Sequence, residues 1–257
     1  GIGNGISLII FAGILSRVPQ EIITMARLFI AGAMGTGIYR IIILVLIILV
    51  FLAVIAAVIW VQEAERRIPV QYAKRVVGRK VYGGQNTYLP IKVNMAGVIP
   101  IIFALSILTF PALIGQMLAT TNLSFLVSAS AFVTNLIENK VFYACAYFIL
   151  VFLFTFFYTS ITFEPKDISD NLQKNGGFIP GYRPGENTVS YLSKVSKKIT
   201  LFGAIFLGLI AILPMILEKA THVTTFEIGG TSLLLIVAIS IEIKNSIEAQ
   251  LAMREYD

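Results

Sequence analysis

Arg66, Arg67, Lys74, Arg75, Arg79, Lys80 and Lys92 follow one another with no Asp or Glu between them. Such a run has to sit in water, and it attracts anions, whether phosphate or carboxylate. Residues suited to catalysis are scarce by comparison. The lone histidine, His222, stands with Thr221 and Thr224 but lacks the further ligands a metal centre needs, so it reads as a solvated loop residue. Glu242 and Lys244 close an apolar run, where snorkelling to the interface explains them. The sequence contains no HExxH, no GxSxG and no Walker-type phosphate loop. An intrinsic protease or ATPase is therefore disfavoured, and no cofactor or metal is implied. Cys145 has no second cysteine to pair with and sits in an apolar run, which suits packing.

The elements around the basic run must be membrane helices. Apolar residues make up 57% and charged residues 13% of the chain, and the mean hydropathy is +0.85. Soluble domains use roughly 45–50% apolar and 25% charged residues. The fold class expected is an all-α polytopic membrane protein, one membrane domain over 1–257. Apolar runs predict spans over 4–19, 39–62, 95–118, 141–163, 199–217 and 229–246. Residues 20–34 have the spacing of an amphipathic interfacial helix. Pro100 and Pro111 are expected to kink the third span, and 119–139 to lack regular structure. The fourth span is dense in aromatics such as Phe148, Phe152 and Phe156, best explained as lipid-facing bulk.

Between the spans lie two polar loops, 63–93 and 164–198. They carry seven and six Lys/Arg residues, against one in each of 111–140 and 215–230. The positive-inside rule puts both rich loops in the cytosol. In the first, RRIPVQYA and VVGRKVYG alternate as β-strands do, predicting a β-ribbon-like projection with a basic tip. In the second, GGFIPGYRPGENT has Gly176-Gly177, Pro180-Gly181 and Pro184-Gly185, which make tight turns and hold Arg183 in place. Two turn-structured basic loops together suggest a docking surface for RNA phosphate or an acidic protein face. The opening Gly1 follows no charged n-region or cleavage site, so the chain reads as the later part of a longer protein.

These words resemble the SecY family, the pore subunits of protein-conducting channels, in its bacterial form. The resemblance is carried by GIGNGISLIIFAGI at 1–14, YAKRVVGRKVYGGQNTYLPIKVNMAGVIPIIF at 72–103, FEPKDISDNLQKNGGFIPGYRPGENT at 163–188 and GGTSLLLIV at 229–237. It covers the whole chain and corresponds to membrane helices five to ten of the family protein. The resemblance implies a central pore subunit in the bacterial cytoplasmic (inner) membrane. Unfolded secretory proteins would pass across it, and membrane proteins would leave sideways into the lipid bilayer. Ile14, Ile102 and Leu235 would belong to an apolar pore ring, Leu235 standing where isoleucine is common; such a ring dewets and blocks ions. Asn94 would belong to the lateral gate, although the sequence by itself favours an interfacial residue capping a helix just after Lys92. Arg66, Arg67, Lys74, Arg75, Arg79, Lys80, Arg183, Pro184, Gly185 and Glu186 would face the ribosome or the SecA motor. Further partners implied are SecE-like and SecG-like membrane subunits, signal sequences and nascent chains. Two other readings remain. A solute transporter half would need a broken helix, which Pro100 offers, and a midplane charge, which is lacking. A structural scaffold would have no need of an ion seal.

Overall fold

The computed structural model describes residues 9, 12–13, 15–16, 18–30, 37–72, 75–77, 80–82, 86–119, 134–137, 139–221, 236–237, 239–241, 243–244 and 247. Ile14, Lys74, Arg79, His222, Leu235 and Glu242 lie outside them. The apolar runs form helices because hydrocarbon offers backbone groups no partner except one another. Amphipathic α1 covers Val18–Ile30, and Pro19, the residue expected to end the first span, sits in its first turn, where the missing N–H costs nothing. Helix α2 covers Ile38–Glu63; its segment Leu44–Glu63 has a mean hydropathy of 3.4. Helix α3 covers Ile99–Ala119 and contains Pro111. Helix α4, Lys140–Thr162, is capped by Asn139, whose side chain accepts from the amides of Val141 and Phe142.

Several expectations are corrected here. The third span starts as a helix at Ile99, four residues later than expected, so Pro100 occupies the first turn and supplies no break. Residues 134–137 of the expected coil are helical. The segment 164–198, expected as a polar loop with tight turns, holds regular elements as well. It contains α5, Pro165–Lys174, then strand β5, Gly177–Phe178, and then the start of α6, Glu186–Thr221, which runs without interruption into the apolar segment. Cys145 is exposed on α4 rather than packed.

Three of these helices, or helix pairs, are long and apolar enough to cross a membrane among the described residues: Leu44–Glu63, Lys140–Lys174 and Glu186–Ile216; Ile99–Gly115 is a shorter apolar helix. Helix α4 packs on both α3 and α6. Their shared core holds Val58 of α2, Ile101 and Ala104 of α3, Val151 of α4, and Leu207 and Ala211 of α6. Lipid tails are as apolar as leucine, so close packing rather than water exclusion has to hold these helices together. Small residues on α6 permit it. A Cβ added at Gly208 would lie 2.6 Å from the Phe148 ring of α4. The aromatic series on α4 is half internal: Phe148 stacks on Phe152 at 6.4 Å, Phe152 meets Phe156 tilted at 5.1 Å, and Phe154 stacks on Phe103 of α3 at 5.8 Å. Only part of it, such as Phe157, is exposed as lipid-facing bulk.

Outside the apolar layer, the chain between α2 and α3 forms strands. These are β1 (Glu65–Tyr72), β2 (Arg75–Val77), β3 (Lys80–Tyr82) and β4 (Asn86–Lys92). β1 and β4 pair antiparallel from Glu65↔Lys92 to Gln71↔Asn86, while β2 and β3 pair as a separate hairpin. β5 joins the other edge of β1, so one sheet has the order β4-β1-β5. Alternate β1 residues Ile68 and Val70 point inward. They meet Ile91 of β4, Ile179 and Leu192 in a second core, flanked by Ile168 and Leu172 of α5 and Val195 and Ile199 of α6.

Gly203 lets the two cores meet. A Cβ there would lie 2.9 Å from the backbone oxygen of Val93, at the foot of the ribbon. No side-chain rotation relieves a clash with a carbonyl, so Gly203→Ala is expected to destabilise the folded protein by about 1–3 kcal/mol. Thermal unfolding of the purified full-length protein checks this. Leu209→Ala, on the exposed face of the same helix, serves as the reference that should change little.

Candidate functional site

The site is built where two chain segments far apart in sequence share one small core. Helix α2 ends at Glu63, Ala64 is extended, and the Val93 amide donates to the Ala64 carbonyl at 2.9 Å. That bond extends the β1–β4 ladder down to the helix end, so the ribbon leaves the membrane body without a slack joint. At the far end of β1, Gln71 and Tyr72 pair with Phe178 and Gly177. A Cβ on Gly177 would lie 3.0 Å from the Tyr72 ring, a tight contact that glycine avoids.

The turn carrying Arg183 is pinned from several sides. Gly181 and Gly185 have φ of +88° and +100°, values a Cβ opposes. The Tyr182 amide donates to Ile179 O at 3.1 Å, and the Tyr182 ring stacks on Tyr191 with centroids 4.2 Å apart. Thr188 Oγ1 donates to Arg183 O at 3.0 Å. Gly185 O accepts from Ser169 Oγ of α5 at 3.2 Å and from the Thr188 and Val189 amides of α6. Arg183, Pro184 and Glu186 themselves remain exposed. Glu186 opens α6, where its carboxylate faces the positive end of the helix dipole. Sequence reasoning placed Arg183 between turns but missed Ser169, Thr188, Tyr182 and Tyr191, which fix it. Only the Pro-Gly pairs signalled the turn.

Among the described residues the basic positions lie on separate elements. Arg66 and Arg67 are exposed on β1 near the membrane end, beside Lys92. Arg67 Nε lies 2.7 Å from Glu65 Oε1, an exposed ion pair of the kind worth about 0.2–1 kcal/mol. Arg75 and Lys80 belong to the separate β2–β3 hairpin, and the Gly78-Arg79 sequence connects its two strands. At about 3.3 Å per residue, the six steps from Arg66 to Tyr72 give β1 a reach of roughly 20 Å between these two residues. Arg183 stands five residues past β5, near the Tyr72 end. The surface thus has a basic foot, a basic hairpin and a fixed arginine turn, all attached to one sheet or its extension.

Asn94 is buried in the turn between β4 and α3. Its Nδ2 donates to Gly97 O at 3.0 Å, Gly97 has φ +64°, and its Oδ1 has no hydrogen-bond partner. It braces the turn before Ile99 instead of capping a helix that begins at residue 95. Ile102 is half-buried on α3 and packs against the membrane core. Lys244 Nζ pairs with Glu63 Oε1 at 3.1 Å, so it reaches the end of α2. Among the described residues no group of three or more His, Cys, Asp or Glu could hold a metal ion.

The family model described as SecY matches residues 1–244. Curated relatives named protein translocase subunit SecY include those of Thermotoga maritima, 44% identical over 257 residues, Helicobacter pylori strain 26695, 45% over 256, and Thermus thermophilus, 42% over 258. Each match takes in 100% of this chain but only 55%, 58% and 56% of the relative. Two solved structures share the fold. One is titled "The structure of a protein conducting channel", at TM-score 0.55 and 18% identity over 97% of this chain and 59% of that one. The other, whose title concerns the plug domain of the SecY protein, matches at TM-score 0.54 and 20% identity over 97% of this chain and 60% of that one. With a family model spanning nearly all of its length and relatives above 40% identity end to end, this membrane protein belongs to the SecY family.

Proposed function

We propose that the chain is the later part of the central pore subunit of a Sec protein-conducting channel in the bacterial cytoplasmic membrane. It spans about 55–59% of the length of the curated relatives it matches, so pore, plug and gate are completed by the remainder. The observation that carries the reading is the joint between the cores: α6 runs unbroken from the Arg183 turn into the apolar bundle, and Gly203 locks it against the foot of the ribbon. A partner pushing on the exposed turn pushes directly on the membrane helices. The names of the relatives, which call them translocase subunits, point the same way.

On this reading, Arg66, Arg67, Lys74, Arg75, Arg79, Lys80, Arg183, Pro184, Gly185 and Glu186 meet a ribosome or the SecA ATPase, which supply the work. Charges on separate elements suit an extended phosphate or acidic surface better than a small ligand. Ile14, Ile102 and Leu235 contribute to the pore ring, where apolar side chains exclude ions and make no fixed hydrogen bonds to a passing chain. Asn94 lies at the lateral gate, where its unbonded Oδ1 would accept a bond from the opposite wall. SecE-like and SecG-like subunits complete the assembly, and the channel performs no bond chemistry of its own.

Arg183→Ala in the full-length channel is expected to weaken SecA binding about tenfold, the scale of one lost charged anchor. Export slows in proportion, while the amount of folded channel stays constant because the side chain is exposed. Unchanged SecA affinity and export would remove Arg183 from the docking surface. Replacing Ile14 and Ile102 together by serine is expected to open an ion leak, measured as conductance of reconstituted channels at rest. An ion-tight double variant would return both residues to plain packing.

A further inference from the structure

An apolar side chain on a membrane helix is covered by lipid or by a neighbouring helix, whereas one that stands in water needs another explanation. Among the described residues, the exposed large apolar side chains all lie on helices except Tyr88 of β4 and Tyr182. Tyr182 is 41% exposed. It occupies the turn between β5 and α6, directly before Arg183.

Its ring is held in place from beneath. One face stacks on Tyr191 of α6, with centroids 4.2 Å and planes 29° apart, and Tyr191 in turn packs against the small core that holds Ile68, Ile179 and Leu192. The backbone is fixed as well, by Gly181 at φ +88° and by the bond from the Tyr182 amide to Ile179 O. A ring so backed loses little conformational freedom when a partner covers its outer face. Tyrosine and arginine side by side are also the residue types that anchor protein interfaces.

The chemistry around the ring selects the kind of partner. The exposed stretch Pro180, Gly181, Tyr182, Arg183 and Pro184 carries a single charge, and the exposed carboxylate of Glu186 follows it. A nucleic acid would find one cation there and a like charge beside it, which is poor recognition of a polyanion. A protein face with an apolar patch next to a carboxylate gains from the ring and from Arg183 together.

We propose that the outer face of the Tyr182 ring is a docking contact in its own right, packing against an apolar patch of the motor ATPase while Arg183 meets a carboxylate beside it. The inference rests on the reading of the Arg183 turn as a docking surface and adds to it an uncharged contact that charge patterning does not reveal.

The test is SecA affinity for the full-length channel in lipid nanodiscs, measured across a salt series. Tyr182→Ala is expected to weaken binding about tenfold, the scale of one lost aromatic anchor. That loss persists at high salt, because an apolar contact is not screened, whereas the loss caused by Arg183→Ala shrinks. Tyr182→Phe keeps wild-type affinity, since the ring face and not the hydroxyl makes the contact. Tyr182 lies at the surface, so these variants fold. Wild-type affinity in Tyr182→Ala would overturn the inference: if Arg183→Ala still binds weakly, the docking reading survives, and if neither variant changes affinity, both fall. An equal loss in Tyr182→Phe would move the contact to the hydroxyl, and a Tyr182→Ala loss seen only with empty ribosomes would assign the ring to RNA; either result overturns the packing contact.

Discussion

The pairing of the Val93 amide with the Ala64 carbonyl, beneath the Glu65↔Lys92 register, is the bond on which the rest depends. A chain leaving a membrane helix has to satisfy its backbone polar groups at once, because the hydrocarbon edge offers no water. This chain does so by starting a β-ladder where the helix stops. The ladder fixes the ribbon's direction, and the ribbon's inner face then needs a cover. Helix α5 and the first turns of α6 supply it through Ile168, Leu172, Leu192 and Val195. The second polar segment is thereby tied to the first, and both are tied to the membrane core through α6.

Magnitudes show which contacts matter. The exposed Arg67–Glu65 pair contributes little in water. The small buried cluster of Ile68, Val70, Ile91, Ile179 and Leu192 is in contact with water-facing surface, so each side chain stabilises by about 1.5–3 kcal/mol. Within the bilayer that term is missing, and the fit of Gly203 and Gly208 against Val93 and Phe148 takes its place. Water exclusion thus builds the platform, and shape complementarity seats it on the helices.

Much of this was legible in the sequence. Twenty-residue apolar runs announce helices, and period-two alternation in RRIPVQY and KVY announces strands, because both signals are local. The Pro-Gly pairs around Arg183 were legible for the same reason, whereas the Asn139 cap went unread. β5 was not: two residues carry no periodicity, and their pairing with Gln71 and Tyr72 spans more than a hundred residues. The unbroken α6 was hidden by its change from polar to apolar composition at Ile199. Yet Leu192, Val195 and Ile199 already keep helical spacing, and that stripe is what covers the sheet. Pro100 misled because a proline in a first turn starts a helix as readily as an interior one bends it.

The central proposal is that the two polar segments form one rigid docking body seated on the membrane helices. Gln71 and Phe178 face each other across antiparallel strands, a separation of roughly 4.5–5.5 Å between Cα atoms that a disulfide can bridge. The most direct measurement is SecA-driven export through the full-length channel carrying Gln71→Cys and Phe178→Cys, with Cys145 replaced, in oxidised and reduced forms. The account predicts that the bridge forms readily and that the oxidised channel exports as fast as the reduced one, because the segments are already one body. A pair that resists oxidation, or a bridged channel that stops exporting until reduced, would contradict it.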